Sequence, residues 1–154
     1  MQPMRSELLR PTGRAEILIR RAGLDGPWRV AVSGPNLVVN GMLREQIRAI
    51  AKYGPAADYK ISEVRLGSNG APPQPTDSGV TGPTAVATVT AYSYPSASSV
   101  RLEGLLAAGS SNGLTFQEMG LYMANGIMVA RKAFAAMTKD ELFEWLLRWT
   151  LNLT

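Results

Sequence analysis

From Phe143 to Leu153 every second residue is large and apolar: Phe143, Trp145, Leu147, Trp149, Leu151 and Leu153. Glu144, Arg148, Thr150 and Asn152 fall between them. Side chains of a strand alternate between its two faces, so this period of two gathers all six on one side. A helix is the second reading of the stretch, because Thr138 and Glu141 have the spacing of a capping box. Two Trp and a Phe make a large face for one strand of a small domain. Phe143, Trp145 and Trp149 are therefore expected to be buried partly between chains.

The same alternation recurs upstream, interrupted by turn residues. Arg14 to Arg21 sets Ala15, Ile17 and Ile19 against Glu16, Leu18 and Arg20. Leu24-Asp25-Gly26-Pro27 is turn chemistry, and Trp28, Val30 and Val32 lie in step on a returning strand. Tyr59 to Gly67 is a strand of imperfect period, carrying Ile61, Val64 and Leu66. Residues 67–83 are rich in Gly, Pro, Ser and Thr, and form a loop longer than compact domains usually carry, which marks it for work or for a partner. Further strands follow from Thr84 and over 100–106, with a turn at Ser110-Ser111-Asn112-Gly113. The apolar runs 114–123 and 127–134 flank Asn125-Gly126, a strong hairpin signal because both residues accept positive φ.

One helix interrupts this series. Leu43, Ile47, Ile50 and Ala51 recur at helical spacing against Arg44, Glu45, Arg48 and Lys52, with Asn40 as the N-cap and Gly54-Pro55 as the stop. The expected fold is mainly β (α+β): an antiparallel β-sandwich-like domain of hairpins with one helix at about 42–53. Residues 1–12 are read as a flexible or partner-docked arm and 13–154 as a single β-rich domain.

The chemistry available to such a domain is narrow. The 154 residues include no Cys and no His, so there is no disulfide, no His or Cys metal ligand and no triad using a His base. The carboxylates are scattered, and no phosphate loop ending in Lys-Ser or Lys-Thr occurs. Asp58 and Asp77 lack the Asp-x-Asp ladder of a calcium loop. Asn152-Leu153-Thr154 matches a glycosylation triplet but has no use in a cytoplasmic product. The expectation is a non-enzyme with no cofactor, metal or small-molecule substrate. No apolar run approaches the length of a membrane helix and no signal peptide opens the chain, so no membrane partner or export is expected.

Charge is uneven. Residues 1–52 hold nine bases against four acids, and the rest seven against eight. A basic first third could face nucleic acid, but the bases are spaced singly and aromatic neighbours are few, so solvated side chains are the plainer reading.

Several segments resemble, in order and spacing, the structural proteins of tailed-bacteriophage tail fibres, collars and baseplates. They are Asn36-Leu37-Val38-Val39-Asn40-Gly41, Val64-Arg65-Leu66-Gly67-Ser68-Asn69-Gly70-Ala71-Pro72 with Thr76-Asp77, Leu114-Thr115-Phe116-Gln117-Glu118-Met119-Gly120-Leu121-Tyr122, Met128-Val129-Ala130-Arg131-Lys132-Ala133-Phe134 with Lys139, and the closing strand. The resemblance implies a virion protein made in the bacterial cytoplasm, with a structural role at an attachment point. Tail fibres usually continue into a receptor-binding region that this chain lacks, which favours an adaptor, collar or baseplate piece. A capsid-decoration protein is the first alternative and a nucleic-acid-binding module the second.

On this reading the partners are copies of the chain, in a trimer or ring, and other virion proteins. Docking is expected through Arg5 and Arg10 of the arm, Pro72 and Pro73 of the long loop, and Phe143, Trp145 and Trp149. Asn40, Gly41, Asn125 and Gly126 are structural turn residues. Gly120 would admit a neighbouring backbone. With Asn125-Gly126 at the turn, Glu118 lies opposite residue 133 and diagonal to Arg131. It therefore either accepts backbone amides or pairs with Arg131 across the hairpin, the plainer alternative being an ordinary surface ion pair.

Overall fold

The computed structural model describes residues 11–51 and 54–153. Among them the strands are β1 (Thr12–Arg21), β2 (Arg29–Pro35), β3 (Leu37–Val38), β4 (Ile61–Gly67), β5 (Ala85–Ser96), β6 (Ser99–Leu106), β7 (Thr115–Met123), β8 (Met128–Thr138) and β9 (Phe143–Asn152). The helix α1 (Asn40–Ile50) follows β3, and a 3-10 turn covers Ala56–Tyr59. Every strand pairing is antiparallel, so the expected mainly β chain of hairpins with one helix is the fold observed.

All nine strands belong to one sheet, in the order β2-β1-β9-β6-β5-β4-β7-β8-β3. Its two edge strands, β2 and β3, are consecutive in the chain and separated by Asn36 alone. The chain leaves β1 at Pro35 and joins β8 at Leu37, opposite Arg131. The Asn36 N–H donates to the Gly13 carbonyl at 3.2 Å, which ties the link between the two edge strands to β1. The sheet thus curls round until it nearly closes, which removes most of the free edge an open sheet would expose.

Closure decides where the alternating side chains go. The inward faces of all strands share one interior, filled by Ile17, Leu66, Leu102, Phe116, Leu147 and Trp149 among others. The ring of Phe116 meets Trp145 edge-on, with centroids 6.1 Å apart. The 143–153 segment is a strand, and its helical reading is not realised. Its aromatic face is no docking surface, however: Trp145 and Trp149 are buried in their own domain and Phe143 packs against the same core. A curled sheet has room inside for two indoles where one flat strand would not.

Three boundaries move. Thr12 already belongs to β1, opposite Asn152, and Pro11 is buried, so the ordered domain starts ahead of residue 13. Arg5 and Arg10 lie outside the described residues. The helix starts at Asn40, two residues ahead of the expected 42, and runs to Ile50; residues 52 and 53 of the expected span lie outside the described residues. A third shift lies in the first hairpin, where a bulge separates Val30 from Val32. Val32 faces the core with Ile17, while Val30 pairs with Leu18 on the outer face.

The helix is also rotated from its expected setting. Met42 and Glu45 are buried, whereas Ile47 is 68% and Ile50 83% exposed. Contacts at its start fix this rotation. A Cβ at Gly41 would lie 2.5 Å from the Met128 carbonyl oxygen, so only Gly lets the first turn sit against β8. The carboxylate of Glu45 then accepts from Asn125 Nδ2 at 3.1 Å. Asn40 is the first helical residue and not the cap; Val39 stands at the cap without a side-chain hydrogen bond.

Candidate docking site: a loop clasped to the outer face of the sheet

Strand β7 is buried on both faces from Glu118 to Met123. Met119, Leu121 and Met123 point into the core. Glu118 and Tyr122 lie on the other side, where the long loop between β4 and β5 covers them. A small second cluster of Val39, Tyr122 and Met128, with Val80 of the loop, lies between loop and sheet.

The loop is held by a clasp built on Glu118 and Arg131, both fully buried. Glu118 faces Ala133 across the hairpin, which puts Arg131 on the diagonal. Arg131 Nε donates to Glu118 Oε1 at 3.1 Å. Its other two nitrogens reach the loop, one to Asp77 Oδ2 at 3.0 Å and one to the Asn69 carbonyl at 2.7 Å. The second oxygen of Glu118 accepts the backbone N–H groups of Asn69 and, at 3.3 Å, of Thr81. The pair is therefore no surface ion pair. It satisfies backbone groups of a segment that lacks a regular hydrogen-bond ladder of its own, as buried polar groups require.

Neighbouring contacts extend the clasp. The hydroxyl of Tyr122 accepts the Val80 N–H at 2.9 Å, and the guanidinium of Arg65 lies 4.0 Å from the Tyr122 ring centroid. Burial pushes the Tyr122 phenol up from its ordinary pKa, ahead of the opposing effects of the Val80 bond and Arg65. At the far side of the loop, Asn40 N–H donates to the Pro75 carbonyl. Gly120 admits no neighbouring backbone: a Cβ there would meet side chains, Met128 Sδ at 2.8 Å and Val80 Cγ1 at 3.1 Å.

Clasped in this way, the loop presents Pro72, Gln74 and Pro75 to solvent, with Pro73 partly covered. An open cleft of about 380 Å³ separates Thr76 and Ser78 from the start of α1. Among the described residues no three acidic side chains gather as a metal site would need.

Asn125-Gly126 makes a different turn from the one expected. Of the two, Gly126 alone has positive φ, and four residues, 124–127, lie between the strands, with Met123 N–H closing a three-residue turn on the Ile127 carbonyl at 3.0 Å. Asn125 is held otherwise: its N–H donates to the Asp58 carbonyl, its Oδ1 accepts from Ile127 N–H and its Nδ2 reaches Glu45. Lys139, fully buried, is a second staple that sequence reasoning quoted but gave no role. Its ammonium donates to the carbonyls of Ala108 and Asp140 and to Asn112 Oδ1, tying down the 107–113 turn. Burial lowers its pKa, which Asp140 partly offsets. The structure thus unites Glu118 and Arg131 with Asn69 and Asp77, while Pro72 and Pro73 sit on the loop those four hold and Phe143, Trp145 and Trp149 lie apart in the core.

No family model, curated protein or solved structure matches the chain.

Proposed function

We propose that this chain is a structural protein of a tailed-phage particle, an attachment or adaptor piece of the tail, collar or baseplate that works by self-association and docking. The observation that carries the reading is the clasp. Segments that suggested the resemblance, Val64 to Pro72, Glu118 to Tyr122 and Arg131, come from three separate parts of the chain and meet in one buried network. That network holds a proline-bearing loop rigidly against the outside of a curled sheet. A preorganised exposed loop suits docking because little ordering remains to be done on contact.

Peptide quantification on gradient-purified particles tests it. A fixed copy number relative to the tube or capsid subunit is expected. Its absence from particles would overturn the reading. A DNA affinity that falls steeply with salt would shift the function to the basic first third of the chain.

A further inference from the structure

The ladder registers place a row of aliphatic side chains across the outside of four adjacent strands. Val30 pairs with Leu18, Leu18 with Leu146, and Leu146 with Leu105. Their neighbours Ile17, Leu147 and Leu106 face the core, so these four face outward. Val30 is 51% and Leu105 45% exposed at the ends of the row, and Leu18 is covered in its middle. Charged pairs border the row on both sides. On one side Glu16 stands beside Arg148, and Arg148 beside Glu103. On the other Arg20 stands beside Glu144 and bonds it at 2.7 Å, with Trp28 stacked on its guanidinium.

The order of these charges is self-complementary. Along β1 it is Glu16, Leu18, Arg20, and along β9 it is Glu144, Leu146, Arg148. A twofold axis lying along the aliphatic row would lay Val30, Leu146 and Leu105 on their own counterparts, with Leu18 covered beneath them. It would also set Glu16 opposite Arg20 of the other copy and Arg148 opposite Glu144, so these four charges meet their opposites, while Glu103 keeps its bond to Arg148 within its own chain. The existing bonds within the chain do not prevent this, since a guanidinium carries five donors and a carboxylate several acceptor sites. An apolar strip edged by matched charge is the pattern of a specific interface, and matched charge selects the partner.

We infer that the outer face of β2-β1-β9-β6 binds a second copy of this chain through a twofold contact along the row of Val30, Leu146 and Leu105. The inference rests on the self-association part of the proposed function and assigns it to a surface remote from the clasped loop. Such a contact gives a plain dimer, or joins two rings face to face.

Sedimentation velocity of the full chain at about 10 µM and above tests it. The wild type should dimerise. Leu105→Lys, at an already exposed position, should weaken association at least about 100-fold while circular dichroism stays unchanged. A copy carrying Glu16→Arg and Glu144→Arg should not self-associate, nor should one carrying Arg20→Glu and Arg148→Glu, but the two mixed should form a one-to-one dimer. Should the charge variants misfold, Leu105→Lys decides alone. A wild type that stays monomeric overturns both this face and self-association. A wild-type oligomer indifferent to these substitutions overturns this face and leaves self-association standing.

Discussion

At the scale of single residues, the clasp sets the sharpest expectations. Arg131 is a buried cation that bonds Glu118 and two loop groups, Asp77 and the Asn69 carbonyl. Arg131→Met would leave Glu118 as an unpaired buried anion, which typically costs about 3–5 kcal/mol. Chemical denaturation should read that loss, and limited proteolysis should cut the 67–83 loop in the variant before the rest of the domain. Equal resistance of loop and domain would mean that the clasp does not hold the loop. Tyr122→Phe removes the acceptor for Val80 N–H and should cost about 1 kcal/mol at neutral pH. Because burial holds the folded phenol above its ordinary pKa of 10.0, the stability it adds is present below pH 10.0 and is lost as pH rises through the folded pKa. The gap between wild type and Tyr122→Phe should therefore close on the alkaline side, seen in denaturation curves at successive pH values. Lys132 and Lys139 shift the other way, their pKa values lowered chiefly by burial, so their contribution improves toward pH 10.5 and cannot mimic the loss from Tyr122.

At the scale of elements, periodicity carried the strands because burial in a curled sheet has period two. Counting outward from Asn125-Gly126 placed Glu118 opposite Ala133 because two departures cancel: the turn takes one residue more than the count assumed, and the register shift between Leu121 and Tyr122 restores the assumed pairing. What periodicity could not convey was burial supplied from elsewhere in the chain. Glu118 and Arg131 face outward on their strands and are covered only because the loop folds over them. The bulge between Val30 and Val32 carries no Gly or Pro to mark it. The helix misled for a related reason: its rotation is set by the Gly41 approach to Met128 and by the Glu45 tie to Asn125, contacts invisible to a count of apolar positions. Strand β9 provides a direct check on the core assignment. Trp149→Ala should destabilise the isolated chain by about 3–5 kcal/mol, as large cavities in cores do. An indole at a docking surface would instead leave the melting temperature nearly unchanged and weaken association alone.

At the scale of the whole molecule, the fold separates three jobs. The curled sheet supplies stability, one outer region holds the loop, and the face opposite the aromatic core of β9 offers the matched charges of a self-contact. The proposed attachment role uses the two outer regions and asks no chemistry of the interior. A cryo-electron reconstruction of the intact particle measures that proposal most directly. It should place symmetry-related copies of the chain at an attachment point, with Pro72 and Pro73 seated against a neighbouring protein. Particles without the chain, or copies whose loop tips all face solvent, would contradict it.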